Sequence, residues 1–384
     1  FSLILIELIL QIFLIFSPKI SSVVFPQNPL IIDKQIGNIG NPKHPDHDKR
    51  GWRNKVALSR ANIVTLGDSH TYGTSVSAEE SWPYLLTLKT GLQTYNMALP
   101  GHSVGHSLLH LNEAKILNPE LIILSIYFGN DFLEIMQLSI INDEISDFVS
   151  SEDKKKFIKL EEVDPIGKKW DELFGSSISP SGFYRFRVFL SKYSSIYGLL
   201  RVTKNQFLDR RNSLLSKNIN MSDLKMTKDQ NMLAKTFEGE WKTILTSPLR
   251  NLVNDRTDAR IAMGFKTTLD FLLSFRKKLQ AQSELLIVLL PTKEAVFHAK
   301  IPESISDKSS NSLFKNETAN REELKDFLEL NEFNFLDMTH SLSKAPLQTY
   351  FRNADGHPNK YGHEVIATSI KKWIQKRDLT FSDK

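Results

Sequence analysis

The chain contains no cysteine. That absence removes disulfide bridges, thiolate nucleophiles and cysteine-ligated zinc, and it permits an oxidising compartment without demonstrating one. An excess of one charge sign is also lacking: 49 Lys and Arg stand against 44 Asp and Glu, a net charge of +5 over 384 residues. No basic block with interleaved aromatics occurs, so nucleic acid is not a favoured partner. No Gly-x-Gly-x-x-Gly follows the first strand-like run, no Walker A sequence is present, and no internal repeat stands out. An apolar content of 41% with 24% charged residues fits a folded globular protein, long enough for one large domain or two ordinary ones.

Long apolar runs are rare apart from "FSLILIELILQIFLIF", residues 1–16. It is shorter than the roughly 20 residues a spanning helix needs, but the first residue is Phe rather than Met, which leaves room for the run to continue upstream. Glu7 and Gln11 interrupt it, and a carboxylate near mid-bilayer is costly. The following "SPKISS" holds no convincing cleavage site. Residues 1–25 are therefore expected to be a membrane anchor or uncleaved signal, with a buried N-terminal helix as the competing reading. The polar, Pro- and His-containing stretch over 26–60 reads as a linker.

Strand-like runs occur at Ile63–Leu66, Thr94–Leu99, Leu121–Phe128, Glu284–Leu290 and Asn334–Asp337. "LIILSIYF" and "ELLIVLL" are continuously apolar, as suits strands covered on both faces of a parallel sheet. Helix-like segments lie between them: Ser81–Thr90, Gly105–Ile116, Ala259–Ala281, Arg321–Leu330 and Lys360–Lys376. The alternation predicts a doubly wound α/β fold, a three-layer sandwich around a parallel sheet. It is broken once. No clear strand is read between Asp131 and about Thr257, a stretch too long for a plain loop. Residues 141–255 are expected to form a mainly helical insertion capping the site, with partial disorder as the alternative. The domain proper would then be 61–140 with 256–380.

Ligands of such sheets bind beyond the carboxyl ends of the strands, and polar motifs cluster there. "GDS", Gly67 to Ser69, follows the first strand; Gly101 follows the second; "GND", Gly129 to Asp131, follows the third; "DGHPN", Asp355 to Asn359, follows the last. A serine hydroxyl is a poor nucleophile until a base takes its proton. His357 can be that base and Asp355 can orient it. The N–H groups of Ser69 and Gly101 and the amide of Asn130 could donate to an oxyanion. A pre-formed pair would place the Ser69 hydroxyl about 2.6–3.2 Å from a His357 ring nitrogen. The Gly-x-Ser-x-Gly elbow of the α/β-hydrolases is not matched, since "GDSHT" closes on Thr71.

These blocks, in this order, resemble the SGNH (GDSL-type) hydrolases. The resemblance implies the flavodoxin-like SGNH hydrolase fold and a serine esterase working through an acyl-enzyme. Its catalytic residues would be Ser69, His357 and Asp355, and its oxyanion hole Ser69, Gly101 and Asn130, with no metal or organic cofactor. Asp355 and His357 are separated by one residue, where the family usually has two. That shorter spacing is similar to SGNH-like proteins that O-acetylate exopolysaccharides, so the substrate is expected to be an ester of the O-acyl carbohydrate type. Transfer to a cell-surface or secreted polysaccharide and a non-catalytic glycan-binding scaffold are the alternatives. "LLPTKEAVF", Leu289 to Phe297, looks like a turn of membrane-anchored bacterial members, which implies a cell-envelope location with the catalytic domain extracytoplasmic.

Blander readings accompany each residue. Ser69 could cap a helix, His357 could be a loop histidine before one, and Asn130 and Asp131 could cap the segment after the third strand. Asp68 is expected to hold its turn rather than act as an acid. Asp68, His70, His102, Asp131 and Lys293 are possible rim residues. His102, His106 and His110 share a helical face, but the outer two would lie roughly 12 Å apart at 1.5 Å per residue, too far for one metal ion.

Overall fold

Leu121–Tyr127 explains the architecture best. All seven residues are buried, and they divide by parity. Ile122, Leu124 and Ile126 join one apolar cluster; Leu121, Ile123 and Tyr127 join another. A strand's side chains alternate between faces, so this strand has a core on each side. In the computed structural model, residues 2–17, 28–166, 194–200, 235–238, 241–298 and 308–377 are described, with a few single positions between them.

The strands in chain order are β1 (Leu30–Asp33), β2 (Gly37–Gly40), β3 (Ile63–Leu66), β4 (Thr94–Asn96), β5 (Leu121–Tyr127), β6 (Lys235–Glu238), β7 (Lys242–Leu245), β8 (Glu284–Leu290) and β9 (Asn334–Asp337). The central sheet runs β4-β3-β5-β8-β9, every pairing parallel. Counting only these strands, the order is 2-1-3-4-5, the flavodoxin-like winding, whose direction reverses between β3 and β5. Helices Val104–Ile116, Asp131–Ile141 and Ala259–Lys278 cover one face through Leu111, Ile135 and Phe271. Helices Trp82–Thr90 and Lys360–Arg377 cover the other through Trp82, Leu86, Ile366 and Ile370. The helix predicted over Arg321–Leu330 begins earlier, at Lys308.

Three segments look different in the structure from their reading in the sequence. The N-terminal apolar run is a 14-residue helix, Ser2–Ile15, and among the described residues no helix is long and apolar enough to cross a membrane. Its Glu7 accepts hydrogen bonds from the N–H groups of Ser195 and Ile196, so the carboxylate has a partner within the protein. The supposed linker is packed onto the domain over its described part. Trp52 and Arg53 are buried; Trp52 Nε1 donates to Glu113, and Arg53 donates to the carbonyls of Tyr72 and Gly73. Hydrophobicity pattern gave no sign of this because the segment is held by polar contacts and a few scattered apolar side chains, Leu30, Trp52 and Leu58, rather than by a periodic stripe. The 141–255 segment contains helices Asp143–Ser146, Ser151–Val163 and Ser247–Leu252, but also the antiparallel pair β6–β7. The rest of that segment lies largely outside the described residues.

Candidate active site

Gly67 ends β3 with φ +149°, and a Cβ there would fall 2.0 Å from the Ser125 hydroxyl. Only glycine lets the chain turn this close to β5. Asp68 caps the short helix Ser69–Tyr72, its Oδ1 accepting from the His70 N–H at 2.9 Å. Its Oδ2 lies 3.2 Å from His70 Nδ1 and accepts the Ser69 hydroxyl at 3.3 Å. Burial works against this carboxylate, but the His70 ring and its hydrogen bonds hold it below the usual range.

At the end of β5 a Cβ on residue 129 would overlap the Tyr127 ring, 2.1 Å from Cε1, which accounts for the glycine before Asn130. The Asn130 amide donates to Glu134, one helical turn on. Burial, with the Asp68 charge nearby, pushes the Glu134 carboxyl up to about 8. Asp131 turns away from the cleft, its Oδ2 accepting the Tyr127 N–H at 2.9 Å. Its acid is raised by burial first and by Asp68 second.

The loop before the last helix carries the remaining pair. His357 Nδ1 lies 2.6 Å from Asp355 Oδ1, which also accepts the His357 N–H at 2.9 Å. Asp355 Oδ2 accepts the Ser75 hydroxyl at 2.5 Å. Burial raises the Asp355 carboxyl, but these bonds and the His357 charge outweigh it and bring it below its ordinary value. With Nδ1 committed to the carboxylate, Nε2 is the nitrogen left to accept a proton.

A cavity of about 280 Å³ is lined by Ser69, His70, Tyr127, Asn130, Glu134, Arg250 and His357, with Leu133, Gln137 and Val253. It opens between the ends of β3 and β5, where the winding reverses. The structure thus brings together Ser69, Asn130 and His357 from three separate motifs. The His70 and His357 rings stand 4.8 Å apart, and His70 Nε2 lies 3.3 Å from the Gly356 carbonyl. A Ser69–His357 hydrogen bond, expected for a pre-formed pair, is not among the contacts of the described residues; the hydroxyl turns to Asp68 instead.

Other expected residues are placed elsewhere. Gly101 does not line the cavity; its neighbour Pro100 accepts from the Asn38 amide of β2. His102 is no rim residue. Its ring stacks on His106 and His110, centroids 4.3 and 5.3 Å away, and its Nε2 meets the Asn38 carbonyl. The 12 Å separation fails because His102 precedes the helix, which is capped at Ser103, and folds back over it. Among the described residues no three His, Asp or Glu side chains are grouped to hold a metal. Lys293 is not on the rim but fully buried, its Nζ donating to the carbonyls of Asn353 and Asp355.

Sequence reading missed Arg250 and Glu134. Glu134 had a signal, its i+4 spacing from Asn130. Arg250 had none: it comes from helix Ser247–Leu252, donates to the Gly129 carbonyl at 3.2 Å and lies over the Tyr127 ring.

No family model matches the chain, and no curated protein matches it. Solved structures do. A GDSL-like lipase from Bacteroides thetaiotaomicron is 11% identical, with 82% of this chain and 88% of that chain covered and a TM-score of 0.35. An extracellular lipase from Streptomyces rimosus is 12% identical, with 80% and 99% covered and a TM-score of 0.38. Phospholipase A1 from Streptomyces albidoflavus is 10% identical, with 81% and 99% covered and a TM-score of 0.34. The chain is similar in structure to these lipolytic proteins.

Proposed function

We propose that the protein is a serine ester hydrolase of the SGNH type. Ser69 attacks the ester carbonyl. His357 Nε2 takes the hydroxyl proton and returns one to the leaving oxygen, while Asp355 holds the ring through Nδ1. The Ser69 N–H and the Asn130 amide face the developing oxyanion. Water then resolves the acyl-enzyme. The observation that carries this reading is the shared cavity: an alcohol, an imidazole already bonded to a carboxylate, and a side-chain amide, delivered by three distant loops. The reaction requires the Ser69 hydroxyl to leave Asp68 and hydrogen-bond to His357 Nε2 instead.

A fluorophosphonate probe tests this. The wild-type protein is expected to become labelled at Ser69, and Ser69→Ala to stay unlabelled; an unlabelled wild-type protein that folds would end the hydrolase reading and favour a non-catalytic scaffold. The O-acyl carbohydrate substrate and the transferase alternative rest on the Asp-x-His resemblance. Incubation with an acetyl ester and candidate glycans separates them, through free acetate or acetylated glycan.

A further inference from the structure

The loop Phe351 to Asn359 that carries Asp355 and His357 has no helix or sheet ladder of its own beyond an isolated bridge between Tyr350 and Pro358. Its backbone carbonyls need partners from elsewhere. Lys293 provides two. Its side chain is fully buried at the end of β8, and its Nζ lies 2.7 Å from the Asn353 carbonyl and 2.9 Å from that of Asp355.

We propose that Lys293 is a positioning residue for the Asp355–His357 pair, its buried ammonium clamping the loop backbone so that the imidazole is presented to the Ser69 cavity. The inference rests on the roles given above to Ser69 and His357. The turn that bears Lys293 is built as a platform. Pro291 accepts the Tyr350 hydroxyl, Thr292 donates to Glu317, and Glu294 accepts from Thr246. Thr292 and Glu294 thus anchor other elements, while Pro291 holds the residue before the catalytic loop and Lys293 holds the loop itself. Burying an ammonium is expensive, and an apolar side chain would fill the space more cheaply. The cost shows in the lysine itself: burial brings it down to about 8, against support from Glu294 and Asp355 and repulsion from Arg250. Charge-assisted donors hold carbonyls more tightly than neutral ones, and the cation also acts on the carboxylate that orients His357. Asp68, His70 and His363 are the other titratable groups near enough to feel that ring's charge, and the Arg250 guanidinium shares its cavity.

Lys293→Met and Lys293→Arg separate this role from simple packing. With p-nitrophenyl acetate, Lys293→Met is expected to lower kcat about 100-fold, the loss typical of a misplaced catalytic group, with KM within about twofold. Its acidic pH limb should move to higher pH, because a cation beside the pair is gone. Lys293→Arg, which keeps the charge, should recover much of kcat. Histidine-ring NMR titrations of Ser69→Ala with and without Lys293→Met read the same shift at His357 without turnover. Lys293→Gln replaces the Met variant in both measurements if Met prevents folding. Folded variants with unchanged kcat and unchanged His357 titration would overturn the proposal. So would an activity loss that merely tracks the unfolded fraction, with no rescue by Arg. If the wild-type protein fails to label or hydrolyse, the hydrolase reading falls, while the NMR comparison still decides whether Lys293 governs His357.

Discussion

Two histidine clusters lie on the same side of the molecule's chemistry only in name. The His70 and His357 rings stand 4.8 Å apart, tilted by 39°, and His102 stacks at 4.3 Å on His106. Yet their surroundings differ in every respect that matters for reactivity. His357 has a carboxylate on Nδ1 and a cavity shared with a serine. The second cluster lies under β2 and the turn before it, where His102 meets the Asn38 carbonyl and His106 that of Ile36. His106 Nδ1 accepts the Ser103 N–H, so its Nε2–H donates to the Ile36 carbonyl, and the neutral ring is the form that satisfies both. Burial first, and the His110 ring second, bring His106 down to about 3, while burial brings His110 down to about 4. An imidazole becomes a base through the acceptor behind it and the space in front of it; one whose nitrogens are spent on backbone is a packing element.

The sharpest way to break this contrast is to exchange the effects. Ser69→Ala is expected to reduce ester turnover by about a thousandfold or more while leaving stability within about 1 kcal/mol. Steady-state kinetics and thermal unfolding report both. Next, Asp355→Asn keeps the loop's shape but weakens the orientation of His357, and about a hundredfold loss of kcat is expected; an active Asp355→Asn protein would remove the carboxylate from the argument. In the other cluster, His106→Ala should cost about 2 kcal/mol in denaturant unfolding, since it strips partners from a buried N–H and a carbonyl, with kcat/KM within about threefold. A large loss of activity there would merge the two clusters into one site.

The smallest effect concerns acid. Unfolded histidines take up a proton near 6.5, whereas His106 and His110 in the folded protein stay neutral to about 3 and 4. Between those limits the unfolded state binds more protons, so this part of the stability is complete above about 6.5 and is lost as pH falls. His110→Phe removes one such group. Its Nε2 has no partner among the described residues and its ring meets Trp52 edge-on, a place phenylalanine fits. Relative to the wild-type protein, the variant is expected to gain up to about 2 kcal/mol more at pH 5 than at pH 7. Equal changes at both values would show that the ring is not held neutral.

The strand runs were legible because a strand covered on both faces must be apolar at every position, as Leu121–Tyr127 is. Ser69, Asn130 and His357 were legible because each follows a strand or precedes a helix with a recognisable turn residue. Lys293 was misplaced on the rim because nothing local distinguishes a lysine bonded to two carbonyls from a solvated one. The stretch 28–60 looked like a linker because its anchors, such as Tyr95 to Asp48 and Asn54 to Asn96, pair residues more than forty positions apart.

By itself the sequence determined which segments form the parallel sheet and which motifs lie at its carboxyl edge, since periodicity and turn chemistry act over a few residues. Only the tertiary structure decided that Gly101 and His102 stand away from the cavity, that Arg250 and Glu134 enter it, and that a buried cation holds the histidine loop. Those outcomes depend on where long-range contacts bring a side chain and how far they desolvate it, and neither is written in its neighbours along the chain.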